Sequence, residues 1–278
     1  MNHSEKNNLI TRSITGTLFG LLVIFAIMAG RWYFAALMLL AGLLSLHELY
    51  RIILPGNRRM YLAGMLSGLL IYSGITLMAM ADTAHFVKWL AIALPGIPIV
   101  LITALYQRNS GAFTEAALAH TGAVYSVFPL ALLNLINNPF IVQAEFGQLI
   151  LLGFFLLVWT NDTMAYLTGM SFGKRKLFER HSPRKTWEGT LGGIAFTIVA
   201  AWLLWKYFGQ LSLMQWMTMG LLTAITGLYG DLAESMIKRG ANIKDSGSLL
   251  PGHGGVLDRF DATLLAAPVV VAYLILTS

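Results

Sequence analysis

The chain is 278 residues long, with 56% hydrophobic and 12% charged residues and a formal net charge of +6. A soluble domain usually carries about 25% charged residues, so this composition excludes an ordinary soluble protein. The sequence contains no cysteine, which excludes disulfides, thiolate metal ligands and a cysteine nucleophile. We expect the lipid bilayer to surround the protein, and we expect no nucleic-acid partner.

The apolar residues fall in long runs, each close to the roughly 20 residues that a helix needs to cross a bilayer. They predict an all-α polytopic integral membrane protein with about nine transmembrane helices in a single membrane domain, residues 1–278. The first run resembles a signal peptide, but we interpret it as a retained span because eight similar runs follow. The predicted spans are 13–30, 32–52, 60–80, 86–106, 113–136, 147–169, 189–207, 213–237 and 262–277.

Basic residues are distributed unequally between the two sides of these spans. If the N-terminus is cytoplasmic, sixteen of the nineteen Lys and Arg residues lie on that side, and Arg31, Lys88 and Lys206 lie on the other. Basic residues in short loops are retained in the cytoplasm. The pattern therefore predicts a cytoplasmic N-terminus and a periplasmic C-terminus.

The two halves of the chain differ in polarity. Residues 1–136 form apolar N-terminal spans, whereas eight of the thirteen Asp and Glu residues lie from Asp162 onward. We therefore expect residues 147–278 to form a catalytic half with cytoplasmic polar loops. Prolines are expected to kink spans four and five at Pro95, Pro98 and Pro129.

The sixth span contains Asp162 about two turns inside its cytoplasmic end. An ionisable residue at that depth is costly and usually faces the interior of a helix bundle and a partner. The structural alternative is an aspartate that only hydrogen-bonds a neighbouring span. We favour a functional role.

A basic loop follows the sixth span and ends in Ser182-Pro183-Arg184-Lys185-Thr186. Topology and attraction to anionic lipid both account for basic loops in general. The end of this loop also presents hydroxyls and an ammonium group suited to phosphate oxygens, on Ser182, Thr186 and Lys185. Gly189 and Gly193 then form a small-xxx-small pair, which we interpret as a helix-packing feature.

The eighth span ends with Asp231, Glu234, Ser235 and Lys238 on one helix face, because they are spaced at i, i+3, i+4 and i+7. One interpretation is an ion pair within the helix. The other is a site for a hard cation such as Mg²⁺, which binds one or two carboxylates, waters and substrate phosphate.

A glycine-rich segment, 240–255, follows Arg239, and glycines allow backbone N–H groups to approach a phosphate closely. Within it, His253 is either a hydrogen-bonding loop residue or part of a site. Asp258, Arg259 and Asp261 then stand at the start of span nine. A helix N-terminus explains one acid there, but hardly two with an arginine between them.

The segment 235–261 resembles the signature of the phosphatidate cytidylyltransferase family. It reads SMIKRGANIKDSGSLLPGHGGVLDRFD, and the resemblance extends upstream through Lys185-Thr186-Trp187-Glu188-Gly189 and Ser182-Pro183 to the Asp162 segment. The first five predicted spans resemble the family only in being apolar. Arg180-His181 departs from the family, which more often has an apolar residue there.

The resemblance implies transfer of a cytidylyl group from CTP to phosphatidate, giving CDP-diacylglycerol and pyrophosphate. It also implies a divalent cation, Mg²⁺ here with a second cation as an option, and a bacterial inner membrane with a cytoplasmic active site. Asp231 and Asp258 are the expected metal ligands, with Asp261 and Asp162 as outer-shell or second-cation candidates. The other expected catalytic and substrate-binding residues are Lys238, Arg259, Ser182, Lys185, Thr186, Arg239, Lys244, Asp245, Gly252, His253, Gly254 and Gly255.

Other functions stay open at this point. A lipid or polyprenol kinase, or a cytidylyltransferase for another lipid phosphate, would use similar residues. A cation-coupled transporter would also contain acids within the membrane, although no internal repeat is visible here. A scaffold that binds anionic lipid would leave those acids unexplained. A homodimer is left open, since nothing in the sequence fixes an interface.

Overall fold

The computed structural model of the chain describes residues 3–81, 86–139, 141–142, 147–247, 249 and 254–277. These residues form ten α-helices, two 3₁₀ helices and one two-stranded antiparallel sheet. The chain divides into two compact units. The first unit is Met1–Asn134 with Ala241–Phe260, and the second is Leu135–Gly240 with Asp261–Ser278.

The first unit contains helices α1 to α6 and a glycine-rich segment that returns to it late in the sequence. The helices are α1 His3–Ala29, α2 Arg31–Ile53, α3 Arg58–Met80, α4 Gly96–Leu105, α5 Ala112–Ser126 and α6 Phe128–Leu132, with a 3₁₀ helix at Phe86–Ile92 before α4. Tyr50 of α2 lies in its core and donates a hydrogen bond to the Ala119 carbonyl of α5. α2 is thereby fixed against α5.

The second unit contains helices α7, α8 and α9 and a β-hairpin. Its elements are α7 Gly147–Phe172, β1 Lys176–Phe178, β2 Ser182–Thr186, α8 Trp187–Phe208 and α9 Leu213–Gly240. Helix α10, Leu257–Thr277, begins in the first unit and continues in the second. A second 3₁₀ helix, Leu133–Asn137, crosses the first of the three boundaries between the units along the chain.

Proline breaks the helices in the two predicted spans where kinks are expected. Span four consists of the 3₁₀ helix and α4, which has Pro95 as its N-cap. Span five consists of α5, α6 and a 3₁₀ helix, with Pro129 near the start of α6. Proline has no N–H to donate, so each break falls where the helical hydrogen-bond ladder cannot continue.

The helices support the predicted all-α polytopic membrane protein. Of the residues that the structure describes, seven helical segments are long and apolar enough to cross a membrane. The first predicted span corresponds to a shorter apolar stretch, Thr15–Ala29, and α9 is not among the seven. The count of nine spans and the orientation of the termini stay predictions.

The β-hairpin lies in the basic loop after α7, where the sequence predicts no strand. Its strands pair Lys176 with Thr186 and Phe178 with Ser182. With three and five residues, both strands are too short and too polar for an alternating apolar pattern to reveal them.

Candidate active site

The predicted site residues fall in both units. The second unit holds Asp162, Ser182, Lys185, Thr186, Asp231, Lys238, Arg239 and Asp261. The first unit holds Lys244, Asp245, Gly254, Gly255, Asp258 and Arg259. Two further candidates, Gly252 and His253, lie outside the described residues.

Three carboxylates and one ammonium group of the second unit form an acidic cluster, which we define as Asp162, Lys185, Asp231 and Asp261. Lys185 Nζ lies 2.6 Å from Asp231 Oδ2. The charges of Asp231, Asp162 and Lys185 all act on the Asp261 carboxylate. Carboxylate oxygens are the ligands that Mg²⁺ prefers in proteins, so the acidic cluster offers the chemistry of a cation site.

Four elements of the second unit supply the acidic cluster. Asp162 lies on α7, Lys185 on β2, Asp231 on α9 and Asp261 on α10. The backbones of α9 and α10 approach closely, because Gly230 has no side chain to collide with the Asp261 carbonyl. The cluster is therefore formed by helix packing between residues far apart in the sequence.

The loop that carries Lys185 is held by Glu188. The Glu188 carboxylate accepts hydrogen bonds from the backbone N–H groups of Lys174, at 3.0 Å, and Arg175, at 3.2 Å. Trp187 N–H also donates to the Arg175 carbonyl. Both ends of the β-hairpin are thus fixed at the start of α8.

Thr186, a predicted substrate-binding residue, has a structural role. Its side chain is buried, and its hydroxyl oxygen accepts a hydrogen bond from Gly189 N–H at 3.2 Å. This is an N-cap interaction, which explains why α8 begins at Trp187. Ser182 at the other end of β2 is partly exposed.

The predicted helix face at the end of α9 contains an ion pair. Lys238 Nζ lies 2.6 Å from Glu234 Oε2, and the Glu234 side chain is only 2% exposed. This geometry confirms the intrahelical ion pair that the spacing allows. Ser235 Oγ donates to Asp231 Oδ1 at 3.4 Å, which links the same face to the acidic cluster.

A second group of polar contacts lies in the first unit, and we define this loop cluster as Glu48, Ser246, Gly255 and Asp258. Asp258 Oδ2 accepts hydrogen bonds from Gly255 N–H at 2.7 Å and from Ser246 N–H at 3.1 Å. The Gly255 N–H, a predicted phosphate donor, is therefore already bonded to a carboxylate. Gly254 beside it has a φ of +78°, which a residue with a side chain rarely adopts.

Glu48 of α2 was missed by the sequence analysis, although it is central to the loop cluster. Its side chain is buried, and its carboxylate accepts hydrogen bonds from Val256 N–H, Leu257 N–H and Ser246 Oγ. Nothing in the signature points to it. The available signal was its chemistry, because an ionisable residue inside an apolar span is expected to be functional.

The remaining predicted residues provide exposed charge. Arg239 lies at the end of α9, Lys244 and Asp245 lie in the glycine-rich segment, and Arg259 lies in the first turn of α10. All four are exposed, and the three basic ones, Arg239, Lys244 and Arg259, carry the positive charge that attracts a polyphosphate.

The described residues contain no group of three His, Cys, Asp or Glu side chains arranged to hold a metal ion. Mg²⁺ requires less than that, since it binds one or two carboxylates and completes its shell with waters and substrate phosphates. Asp231, an expected ligand, and Asp261, an expected outer-shell or second-cation candidate, are hard oxygen donors of the second unit, and Asp258, the other expected ligand, is one of the first unit. Their chemistry fits Mg²⁺.

Comparisons with known proteins cover almost the whole chain. Residues 10–277 match the family model described as the Cytidylyltransferase family. A protein of Bacillus subtilis (strain 168) named phosphatidate cytidylyltransferase is 31% identical over 270 residues, which is 96% of this chain and 98% of that protein.

Two other bacterial proteins of the same name are also similar. The one from Brucella abortus (biovar 1, strain 9-941) is 32% identical over 268 residues, covering 96% of this chain and 93% of its own. The one from Staphylococcus aureus (strain COL) is 36% identical over 179 residues, covering 64% of this chain and 66% of its own. The similarity to the first two includes the apolar N-terminal spans as well as the signature segment.

Proposed function

Because this chain belongs to the cytidylyltransferase family, we propose that it transfers a cytidylyl group from CTP to phosphatidate with the help of a divalent cation. The products are CDP-diacylglycerol and pyrophosphate. The observation that carries the proposal is the acidic cluster, in which Lys185 Nζ lies 2.6 Å from the carboxylate of Asp231.

The chemistry of phosphatidate explains which groups the site needs. A phosphate monoester has a second pKa of about 6, so it is already mostly a dianion near neutral pH and needs little help from a general base. Its main obstacle is repulsion from the triphosphate. Cations placed around the reacting phosphate reduce that repulsion, and both a metal ion and basic side chains serve this purpose.

A divalent cation such as Mg²⁺ would be held by Asp231, with Asp261 and Asp162 as supporting carboxylates. Asp258 stays the other ligand predicted from sequence. The ion would neutralise negative charge that develops on the phosphates. Asp258 accepts two backbone hydrogen bonds on one side of its carboxylate, and a carboxylate has about four acceptor positions in all. The identity of a second cation is left open.

Basic side chains would bind the phosphates themselves. Lys185 is the first candidate, because its partner Asp231 is the candidate metal ligand and the two would exchange partners when metal and phosphate arrive. Arg239, Lys244 and Arg259 are exposed and would contact the triphosphate. Lys238 is held by Glu234 and would contribute positive charge near the site while it keeps this ion pair.

The site would face the cytoplasm of a bacterial inner membrane. Positive charge in the loops supports this orientation, because Lys185, Lys238, Arg239, Lys244 and Arg259 all lie on the side with sixteen of the nineteen basic residues. CTP would reach the site from the cytoplasm, and the acyl chains of phosphatidate would enter from the lipid. A homodimer is compatible with this arrangement and is not required by it.

The test is conversion of radiolabelled CTP into a lipid-soluble product by the purified full chain in detergent with phosphatidate and Mg²⁺. We expect label in the lipid phase with CTP, and none when EDTA removes the metal. Labelled ATP in place of CTP is the matched control for nucleotide choice. Lipid labelling that persists in EDTA would contradict the cation requirement, and no product from folded protein would contradict the proposed reaction.

A further inference from the structure

Glu48 is a buried acid in the apolar N-terminal half of the chain, and its carboxylate is occupied by a distant segment. Oε1 accepts a hydrogen bond from Val256 N–H at 3.0 Å. Oε2 accepts one from Leu257 N–H at 2.9 Å and one from Ser246 Oγ at 3.0 Å. Three donors from one segment thus converge on the two oxygens of a single carboxyl group, so these contacts restrain the segment.

The part of α2 that carries Glu48 is itself fixed. The preceding residue, His47, contacts Tyr61 Oη through Nδ1 at 2.7 Å, and Tyr50 donates to the Ala119 carbonyl. Both neighbours connect α2 to other helices of the first unit. Glu48 therefore projects from a rigid support, and the glycine-rich segment adapts to it.

Two glycines in the segment allow this contact. A Cβ atom at Gly247 would lie 2.6 Å from Glu48 Oε1, and one at Gly255 would collide with both Glu48 Oε2 and Ser246 Oγ. A side chain at either position would displace the Glu48 carboxylate or the segment and so disturb their contact. Close approach to Glu48 therefore accounts for both glycines.

The segment that Glu48 holds also carries Asp258. The Gly255 and Ser246 N–H groups donate to Asp258, and the Val256 and Leu257 N–H groups donate to Glu48. The Val256 and Leu257 N–H groups lie at the N-terminus of α10, where a negative charge is favourable. Glu48 thus fixes the first turn of α10, and this turn sets the direction of Asp258 and Arg259.

We propose that Glu48 is a positioning residue for cytidylyl transfer, which holds the glycine-rich segment and the first turn of α10 in the conformation that presents Asp258 and Arg259. This inference rests on the proposed function. It assigns a role in the reaction to α2, which lies outside the signature. Changes to residues that orient metal ligands typically cost on the order of 10- to 100-fold in metal affinity or activity.

The test compares Glu48→Gln with Glu115→Gln in the purified full chain. Glutamine keeps the size of Glu48 but replaces one acceptor oxygen by an NH₂ group, which would face a Val256, Leu257 or Ser246 donor. Glu115 is the matched control, because it is a carboxylate of the same unit that accepts hydrogen bonds from side-chain amides of Asn57 and Asn109. Glu115 makes no contact with the loop cluster among the described residues.

We expect Glu48→Gln to lower kcat/KM by about 10- to 100-fold, with a raised KM for CTP and a raised Mg²⁺ concentration for half-maximal activity. Hydrogen exchange of the amides in 254–260 should become faster, while amides of α7 and α8 keep their wild-type rates. Ser246→Ala removes only one of the three donors, and we expect it to change the same quantities in the same direction but less. Glu115→Gln should match the wild type in all of them.

Two results would overturn the proposal. One is a Glu48→Gln protein with wild-type KM, Mg²⁺ requirement and local hydrogen exchange. The other is a variant that only yields less folded protein, with unchanged kinetics in the folded fraction and the same unchanged kinetics in Ser246→Ala. If the proposed function is wrong, the wild type itself will make no lipid product from CTP. The hydrogen-exchange comparison would then still test whether Glu48 holds the segment.

Discussion

Asp231 and Lys185 form an ion pair that is only partly shielded from water, with side chains 35% and 25% exposed respectively. Exposed ion pairs contribute about 0–1 kcal/mol to stability, so this one does little to hold the fold. Its position in the acidic cluster suits an exchange of partners, in which Asp231 binds a cation and Lys185 binds phosphate. The pair is better explained by the reaction than by folding.

We therefore expect Asp231→Asn to abolish turnover and to leave the fold intact. The loss of activity should exceed the roughly 10- to 100-fold typical of outer-shell changes, because a candidate ligand is removed. Lipid labelling from CTP measures activity, and thermal unfolding in detergent checks the fold. Lys6→Ala, far from the predicted site in the sequence, should be nearly silent. Near-normal activity of Asp231→Asn would remove this residue from the metal site.

Asp258→Asn tests the other candidate ligand. Asparagine still offers one oxygen to the Gly255 and Ser246 N–H groups, so the loop cluster should largely keep its hydrogen bonds. The negative charge is lost, however, and we expect turnover to be abolished with little change in thermal stability. Wild-type activity at saturating Mg²⁺ would show that Asp258 serves only the loop.

Single residues also show what the sequence can and cannot predict. Asp231 and Asp162 were predicted from charge in apolar surroundings and Lys185 from its place in the basic loop, and the structure brings Lys185 to Asp231. Glu48 offered the same signal, but the sequence does not reveal its partners, which are two backbone N–H groups and one serine hydroxyl some two hundred residues further along the chain. Because every residue except proline has a backbone N–H group, the sequence does not show which of them donate to Glu48.

At the scale of elements, long helices were well predicted because a span requires an apolar run of fixed length. Predicted span 60–80 corresponds to α3, Arg58–Met80, and predicted span 147–169 to α7, Gly147–Phe172. The ends were less accurate, since polar caps such as Asn57 and Thr186 extend helices beyond their apolar runs. The β-hairpin was missed because it depends on contacts of Glu188 with the loop backbone.

The Glu188 contacts predict how the basic loop responds to a substitution. Glu188→Ala removes the acceptor for the Lys174 and Arg175 N–H groups, so the loop should open more often. We expect trypsin to cleave after these basic residues several-fold faster, and lipid labelling from CTP to fall because Lys185 loses its support. Glu179→Ala in the same hairpin is the control. Equal cleavage rates in the two variants would contradict a role for Glu188 in holding the loop.

Helices α7 and α8 pack through glycine, as the small-xxx-small pair predicts. A Cβ atom at Gly189 would lie 2.7 Å from the Ala165 carbonyl oxygen and 2.9 Å from Gly169 Cα. Both neighbours are backbone atoms, so the helices themselves would have to move. Gly189→Ala should therefore destabilise the fold by about 1–3 kcal/mol, as overpacking generally does.

Thermal unfolding in detergent measures this effect, with Gly240→Ala as a matched control. A Cβ atom at Gly240 has nothing within 4 Å, so that variant should unfold near the wild-type temperature. If both variants unfold alike, the close approach of α7 and α8 at Gly189 is not what stabilises the second unit.

At the scale of the whole molecule, the two compact units of the structure do not coincide with the apolar and polar halves of the sequence. Polarity separates the apolar residues 1–136 from a catalytic half, 147–278. In the structure, the segment Ala241–Phe260 belongs instead to the first unit, with α1 to α6. Glu48 provides the physical reason, because it binds this segment. The first unit therefore combines the N-terminal helices with a late segment of the sequence that carries Asp258.

The orientation of the chain is the broadest prediction, and the absence of native cysteine makes it directly measurable. Ser110→Cys lies in the exposed turn between α4 and α5, and Ser212→Cys lies at an exposed position between α8 and α9. The distribution of basic residues assigns Ser110 to the cytoplasm and Ser212 to the periplasm. A membrane-impermeant maleimide should thus label only Ser212→Cys in spheroplasts and only Ser110→Cys in inside-out vesicles.

The cysteine-free parent chain measures background labelling. Both variants replace a serine by a cysteine, so a difference in labelling between them reflects the side of the membrane on which each lies. A reversed pattern would place the acidic cluster on the side without CTP and would contradict the cytoplasmic active site. Labelling of both variants from one side would show an even number of crossings between them. The predicted pattern instead requires an odd number, as the predicted fifth, sixth and seventh spans provide.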